Sequence, residues 1–384
     1  MQSFFLIHGR AQLLSLATAI VLMAPAISHA QAPQYRVEII DLLPGDVVAE
    51  TLKVNESGQV LANGTRLVNG WQQPTALVWS GPGQSSAPSL SGFTPGHITD
   101  SGNLVGGYNF GVISLAPNGT FTTLTTGQRF DYRTVTAVAP NGDYSGTDGF
   151  SGQQIYRSLG GNVSSTGLWN NRKPGRWAGM NNNGDIAGTT DNGNGLTYNL
   201  AWVGRNGVIT ALPQTANGFT GGTYSIDLDS RGRVLGRISN GTGSRDAIWE
   251  TNDVATLLSV PDRYYTLASG FNASSTVIAY FLSLAGNEPA YWGINTPAGN
   301  YGWADIADAS SASWRVLQLQ DISDSGYIVG RAVVNDQIVA FRMTPLSAVP
   351  EPSTFLSMLL GGVGLVIAQR RRSKAGDIQP VALR

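Results

Sequence analysis

An all-β fold built from seven similar units is predicted by three observations. A short motif recurs seven times, each copy is followed by a run in which alanine leads into aromatic or aliphatic residues, and the repeats show no amphipathic helical periodicity. Glycine accounts for 48 of the 384 residues and charged residues for only 13%, while 42% are hydrophobic, which favours a turn-rich globular protein over a disordered chain. The sequence therefore predicts a repeat architecture of short strands and tight turns.

The recurring motif, which we call the turn motif, is typified by "ISDSGYIVGR", beginning at Ile322. Its central glycines, or the equivalent residue, are Gly58, Gly102, Gly142, Gly184, Gly232, Ser275 and Gly326. Successive copies lie 44, 40, 42, 48, 43 and 51 residues apart. The Asn, Asp or Ser side chains of the motif can hydrogen-bond to the local backbone, and glycine adopts the positive φ of a tight hairpin. The second glycine, as in "VGR", is expected where strands crowd together near a common axis.

Each copy contains about four predicted strands in about 45 residues, the size of one blade of a β-propeller. The alanine-led strands include "ALVWS" from Ala76, and period-two alternation with β-branched and aromatic residues marks the others. The last copy stops at Pro345 after two predicted strands. Two N-terminal runs, "YRVEIIDLL" from Tyr35 and "VVAETLKV" from Val47, are predicted to supply its missing strands, with residues 35–43 paired to residues 337–343. The predicted fold is a seven-bladed β-propeller over residues 31–344, with N-terminal strands closing the last blade.

These repeats resemble the bacterial extracellular HAF repeats, whose units carry an "IND-x-G-x-VVG" turn and an "AFLW" strand. The resemblance covers roughly residues 35–344. It implies an extracellular repeat protein and brings no known catalytic residues. Copy six departs from the pattern, because Ser275 stands in place of the glycine.

The N-terminus has the features of a signal peptide over residues 1–30. Arg10 precedes an almost wholly apolar run from Leu13 to Ala26, and Ser28 and Ala30 are the small residues expected before a signal-peptidase site. Cleavage is therefore predicted after Ala30, with export of the body. The alternative is an uncleaved N-terminal anchor helix.

The C-terminus reads "VPEPSTFLSMLLGGVGLVIAQRRR". Residues 345–353 form a linker with Pro350, Glu351 and Pro352, residues 354–369 are a predicted transmembrane helix, and residues 370–384 form a basic cytoplasmic tail. The stop-transfer cluster at its start consists of Arg370, Arg371 and Arg372. This arrangement resembles the PEP-CTERM sorting signal of exopolysaccharide-producing Gram-negative bacteria.

The resemblance implies processing near the Pro-Glu-Pro motif by an exosortase-type enzyme. It also implies an inner-membrane-anchored precursor facing the periplasm, then release to the cell surface or extracellular matrix. The alternative is a permanent single-span anchor.

Composition excludes several kinds of chemistry. The chain has no cysteine, and His97 is the single histidine beyond the predicted signal peptide, which rules out thiolate sites and a three-histidine zinc site. His97 itself is interpreted as a turn or surface residue. Residues 31–350 contain 18 basic and 23 acidic residues, a balance that disfavours nucleic-acid binding. No catalytic residue, metal site or cofactor is predicted.

Two functional classes remain at this stage. The first is a non-enzymatic surface or matrix protein that binds polysaccharide or a cell-surface protein in a biofilm. The alternative is a propeller glycosidase or lyase acting on extracellular polysaccharide, which would need a carboxylate pair such as Asp131 with Asp148, or Asp305 with Asp308. Aromatic residues outside the repeat strands could stack on sugar rings, although packing between blades is the favoured interpretation: Trp169, Trp177, Tyr264, Tyr265, Trp303 and Trp314.

Overall fold

The computed structural model describes residues 32–88, 90, 92–108, 111–124, 134–147, 155–167, 173–191, 200–286 and 288–346. They form seven four-stranded antiparallel sheets, the blades of a β-propeller, with almost no helix. The predicted all-β seven-bladed fold is thereby confirmed. The predicted membrane span at residues 354–369 lies outside the described residues. Within the described ranges, no helix has the length and apolar character needed to cross a bilayer.

The strands follow the chain blade by blade. The N-terminal strand is β1 (Tyr35–Ile39), and the first blade contains β2 (Asp46–Val54), β3 (Val60–Val68), β4 (Trp71–Trp79) and β5 (Ser85–Ser86). The second contains β6 (Thr94–Ile98), β7 (Leu104–Tyr108), β8 (Gly111–Leu115) and β9 (Phe121–Thr123), and the third β10 (Thr134–Val138), β11 (Tyr144–Thr147), β12 (Ile155–Leu159) and β13 (Asn162–Gly167). The fourth contains β14 (Lys173–Met180), β15 (Ile186–Asp191), β16 (Leu200–Arg205) and β17 (Val208–Ala211).

A two-stranded hairpin, β18 (Thr215–Ala216) and β19 (Phe219–Thr220), precedes the fifth blade. That blade contains β20 (Gly222–Leu228), β21 (Val234–Asn240), β22 (Gly243–Trp249) and β23 (Ala255–Leu257). The sixth contains β24 (Tyr264–Phe271), β25 (Val277–Ser283), β26 (Tyr291–Thr296) and β27 (Gly299–Gly302), and is followed by the helix α1 (Trp303–Ile306). The seventh contains β28 (Arg315–Ile322), β29 (Ile328–Val334) and β30 (Gln337–Pro345), and β1 is its fourth strand.

The first strand of each blade is the innermost one. β2, β14, β20, β24 and β28 contact the first strands of neighbouring blades, so the seven first strands surround a common axis. Each turn motif connects the innermost strand to the second strand, and the alanine-led run is the third strand. Tight turns join consecutive strands, which therefore pair as neighbours.

The ring is closed by one N-terminal strand, whereas two were predicted. β1 pairs with β30, with Tyr35 opposite Pro345 and Ile39 opposite Phe341. The prediction for the run from Val47 was wrong, because β2 pairs with β3 in the first blade. The physical reason is that the run before each turn motif belongs to the same blade as that motif, since a tight turn joins the two strands into a hairpin. In the seventh blade β28 is the innermost strand, so only the outermost strand, β1, comes from the N-terminus.

The turn motifs hydrogen-bond both to themselves and to the next blade. In the first copy, Asn55 Oδ1 accepts the backbone N–H of Gln59 at 2.8 Å, while Asn55 Nδ2 donates to the carbonyl of Thr99 in the second blade at 2.8 Å. Asn181 Nδ2 donates in the same way to the carbonyl of Asp229 at 3.2 Å, and Asn272 Nδ2 to the carbonyl of Ser323 at 3.2 Å. An amide at the first turn position therefore stabilises its own turn and joins adjacent blades.

Copy six keeps this turn without glycine. Ser275 adopts a φ of +63°, close to the +88° of Gly326 in the seventh copy. The Oγ of Ser275 accepts a hydrogen bond from Arg233 Nη1 at 2.7 Å. A contact from the fifth blade therefore holds a conformation that a non-glycine residue rarely adopts.

The core lies between successive blades, where the apolar faces of adjacent sheets pack together. The largest fully buried side chains include Trp79, Trp202 and Trp249, each in an alanine-led strand. Small alanines in these strands, such as Ala201 and Ala247, are also completely buried and allow close packing of the sheets.

The second glycine of the turn motif lies where the second strand crowds the innermost one. A Cβ atom on Gly330 would lie 2.4 Å from the carbonyl oxygen of Gln318 and 2.8 Å from the Phe341 ring. We expect Gly330→Ala to lower the free energy of unfolding by about 3 kcal/mol, because backbone must shift to accept the methyl group. Gly107→Ala is the control, because its Cβ atom would meet nothing within 4 Å. Equal unfolding midpoints in urea for the two variants would contradict this assignment.

Candidate functional site: the axial cavity

A cavity of about 170 Å³ lies on the axis of the ring. All seven innermost strands contribute to its lining, and the turn motifs surround its mouth. We define the axial layer as the seven residues five positions before the central glycine, or its equivalent, of each turn motif: Lys53, His97, Ala137, Gly179, Asp227, Gly270 and Asp321. In six of these strands a β-bulge occurs directly before the layer residue. A bulge re-aims the strand, and here it accompanies residues that converge on the axis.

One side of the axial layer contains an ion pair between the first and seventh blades. Lys53 Nζ lies 3.1 Å from Asp321 Oδ1, and Asp321 Oδ2 accepts the backbone N–H of Val54 at 2.9 Å. The neighbouring Asp321 carboxylate raises the pKa of Lys53 against the opposing effect of burial. The Lys53 side chain is 39% exposed and lines the cavity. Its raised pKa keeps the ammonium group charged at neutral pH.

The opposite side contains a carboxylate of different character. Asp227 Oδ1 accepts the N–H of Leu228 at 2.8 Å, and Oδ2 accepts the N–H of Phe271 at 3.1 Å. Burial raises the pKa of Asp227 to about 7, although the charge of Lys53 opposes the shift. Asp227 is therefore a carboxyl group that changes charge near neutral pH.

His97 lies in the axial layer, and its interpretation as a turn or surface residue was wrong. It is half-buried on β6, directly before the turn motif, and lines the cavity. Burial, reinforced by the positive charge of Lys53, lowers the pKa of His97 to about 3, so the imidazole is neutral at physiological pH. The sequence signal was available, since His97 is aligned with Lys53 and Asp227 relative to the motif.

The mouth of the cavity is acidic and connects turns of neighbouring blades. Glu56 accepts the backbone N–H groups of Asp324 at 2.8 Å and Ser325 at 2.6 Å, and Asp100 accepts the N–H of Glu56 at 3.2 Å. Burial raises the pKa of Asp100, and the nearby carboxylates of Glu56 and Asp324 add to the effect. Among the described residues, no group of three or more His, Asp or Glu side chains is arranged to hold a metal ion.

Of the carboxylate pairs considered from sequence, Asp305 with Asp308 does not line this cavity. Asp305 Oδ2 accepts the N–H of Gly302 at 2.8 Å beside α1. Asp308 accepts hydrogen bonds from the N–H of Val37 at 3.0 Å and from the hydroxyl of Ser311 at 2.7 Å. Burial alone would raise the pKa of Asp308, but these hydrogen bonds lower it. Both residues stabilise the connection next to β1. Asp131 and Asp148 lie outside the described residues.

Several of the aromatic residues singled out from sequence are buried or pack against other rings. Trp177 meets the Trp202 ring edge-on at 5.3 Å, and Trp314 lies 6.4 Å from Trp303, which is buried. Tyr264 is likewise buried. Trp169 lies outside the described residues. Sequence reasoning missed Trp71, whose side chain is 78% exposed at the β3–β4 turn.

Residues 348–373 match the family model of the PEP-CTERM protein-sorting motif. This match confirms the resemblance drawn from the C-terminal sequence. The match includes Pro350, Glu351 and Pro352 as well as Arg370, Arg371 and Arg372. The roles assigned to these residues and to Ala30 stay predictions. All seven positions lie outside the described residues. The resemblance of the repeats to HAF repeats also stays a prediction. The comparison with curated proteins gave no match.

Several solved structures are similar to this chain at low sequence identity. The β-propeller domain of the Trilobed protease from Pyrococcus furiosus is 9% identical, with a TM-score of 0.54, over 79% of this chain and 99% of that one. A puromycin-hydrolyzing peptidase from Mycobacterium tuberculosis is 11% identical, with a TM-score of 0.50, over 84% and 58% of the two chains. Virginiamycin B lyase from Staphylococcus aureus is 14% identical, with a TM-score of 0.49, over 82% and 100%. The first two likenesses concern the propeller fold alone.

Together, the fold and the motif fit the class of exported β-propeller proteins. More particularly, the chain is a seven-bladed propeller followed by a PEP-CTERM sorting motif, which implies an exosortase-type processing system and sorting to the cell surface.

Proposed function

We propose that the protein is an exported, non-enzymatic binding protein, displayed on the cell surface or in the extracellular matrix, where its propeller binds polysaccharide or another protein in a biofilm. The observation that supports this most strongly is the match at residues 348–373 directly after the propeller, whose last strand ends at Pro345. In this proposal residues 1–30 are removed after Ala30. Residues 354–369 then anchor the precursor in the inner membrane, with the propeller in the periplasm.

The two ends of the propeller lie together beside the predicted linker. Leu346 N donates to the carbonyl of Gln34 at 2.9 Å, so the start of β1 and the end of β30 are held together. The predicted linker at residues 345–353 begins at this edge. The exosortase-type enzyme would therefore act a few residues from a closed propeller, and its cut would leave the β1–β30 pairing intact.

Glu351→Ala is expected to stop processing and retain the full-length precursor in the membrane fraction, because this residue lies in the sorting motif but outside the apolar segment. The measurement is fractionation and immunoblotting of cells that carry an epitope after Ala30. The control is Ser353→Ala, which alters the linker next to the Pro-Glu-Pro sequence and should be processed as wild type. A Glu351→Ala protein of wild-type size and location would favour a permanent anchor.

Binding is tested separately from sorting. The purified protein is applied to an array of bacterial polysaccharides and to the exopolysaccharide of the producing cells, and the same samples are assayed for release of reducing or unsaturated sugar ends. Retention without product is the expected result. Product formation that increases with protein concentration would instead establish the glycosidase or lyase alternative.

A further inference from the structure

The two aspartates of the axial layer occupy equivalent positions in the repeats but have different partners. Asp321 accepts the N–H of Val54 from the next blade, just as Asp227 accepts that of Phe271. Asp321 also pairs with Lys53, the residue before Val54. The position equivalent to Lys53 beside Asp227 is occupied by Gly270. Asp227 therefore accepts the equivalent backbone N–H, but the lysine that pairs with Asp321 has no counterpart beside Asp227.

Gly270 leaves room for a small group beside Asp227. A Cβ atom on Gly270 would lie 3.4 Å from Asp227 Oδ2 and 3.5 Å from Ile278 Cδ1, which is ordinary van der Waals distance. A Cβ atom on Gly179, on the other side, would lie 3.2 Å from Leu228 Cβ and 3.6 Å from Asp227 Oδ1, so that side is packed more tightly. Ala137, Gly179 and Phe271 line the cavity next to Asp227.

The charges around the cavity favour a positive ligand. Lys53 is paired with Asp321, the neutral His97 contributes no charge, and Asp227 is left without a cation of its own. Glu56, Asp100 and Asp324 at the mouth add negative charge along the route of entry. An anion would meet repulsion on this route, whereas a cation is attracted along it.

We propose that the axial cavity binds a small organic molecule through a primary ammonium group, which Asp227 holds in the position that repeat symmetry assigns to a lysine Nζ. The ammonium group donates to Asp227 as Lys53 donates to Asp321. The inference rests on the proposed binding function and names the ligand chemistry of one site. Such a group occurs in free alkylamines and in amino sugars, which the test distinguishes.

The test is isothermal titration calorimetry of the full-length protein in detergent micelles, slightly above neutral pH. The probes are ethylammonium for free amines and glucosamine for amino sugars, with N-acetylglucosamine and potassium chloride as controls for the amine and for ionic strength. Binding of at least one amine probe, with no binding of either control, is expected. Binding of ethylammonium alone would identify the ligand as a free alkylamine, and binding of glucosamine alone would identify it as an amino sugar. Binding of both would show that the site recognises the ammonium group itself.

Three variants locate the site. Asp227→Asn should weaken amine binding by about tenfold to a hundredfold, because a charge-assisted hydrogen bond is lost. Gly270→Lys should abolish binding while preserving the thermal transition, because the new ammonium group occupies the site. Gly107→Lys should bind as wild type, because it adds the same side chain at an exposed position that does not line the cavity. If Asp227→Asn fails to fold, the contrast between the two lysine variants decides the question.

The pH dependence gives an independent readout. Asp227 has a pKa of about 7 without ligand, so affinity should fall by about tenfold per pH unit below that value as the carboxyl group becomes protonated. The Asp321 carboxylate raises the pKa of Lys53, so Lys53 keeps its charge over this range. At the mouth, burial and the nearby carboxylates of Glu56 and Asp324 raise the pKa of Asp100.

Absence of amine binding, equal binding of N-acetylglucosamine, or unchanged binding by Gly270→Lys would overturn the inference. These failures can be told apart from failure of the proposed function. If the protein is correctly sorted but does not bind amines, only the ammonium site is refuted. If it binds amines but is not sorted to the surface, the proposed location is refuted.

Discussion

Deletion of β1 is expected to abolish the cooperative unfolding transition of the propeller. This strand supplies the fourth strand of the seventh blade, and it is joined to its surroundings by more than the ladder with β30. Val37 N donates to Asp308 at 3.0 Å, and Glu38 forms a 2.7 Å ion pair with the buried Arg342. Without β1, the edge of β30 becomes unpaired and Arg342 loses its carboxylate partner, so the ring is opened at its point of closure.

Chemical denaturation followed by tryptophan fluorescence measures this effect. The deletion variant should show a broad, low-slope transition, and a synthetic peptide of residues 33–41 should restore a cooperative one when added in excess. Ile39→Ala is the matched control, because this side chain is 41% exposed and its backbone pairing stays intact. A deletion variant with the midpoint and slope of wild type would show that closure by β1 does not stabilise the ring.

Arg233→Met is expected to lower the free energy of unfolding by about 3–5 kcal/mol, because it leaves a buried carboxylate without its partner. Arg233 is 8% exposed and lies 2.7 Å from Asp229, whose side chain is completely buried. Its guanidinium also donates to Ser275 Oγ at 2.7 Å and to the carbonyl of Ala273 at 2.9 Å, in the next blade. The substitution therefore also removes the support for the positive φ of Ser275.

Equilibrium unfolding in urea provides the measurement, and Arg231→Met provides the control. Arg231 belongs to the same turn and its side chain is exposed, so its loss should change stability by no more than about 0.5 kcal/mol. Restoring glycine at position 275 in the Arg233→Met background should recover part of the loss. Similar losses for the two arginine variants would show that the blade-to-blade network contributes little.

Local pattern was enough to predict the blades. Period-two alternation, Asn-Gly or Ser-Gly turns and the fixed spacing of the turn motif act within about ten residues, and hairpin pairing follows from such short connections. Pairing of the first strand with β30 also followed from counting strands. The strand from Val47 was misplaced, because a single run between two motifs can belong to either blade until the tight turn assigns it to the motif that follows.

The sequence by itself determined the all-β class, the seven repeats, the ring closure and the C-terminal sorting motif, because each depends on local residue patterns or on a count of them. Only the tertiary structure decided which side chains face the axis. Lys53, His97, Asp227 and Asp321 are far apart in sequence, and they meet because a β-bulge or the end of each innermost strand turns them inward. The pKa values of Lys53, His97 and Asp227 depend on burial and on charges across the ring, which no single repeat contains. Asp227 is an ordinary aspartate in its own repeat, and it becomes a neutral-pH titrating group only where seven strands enclose it.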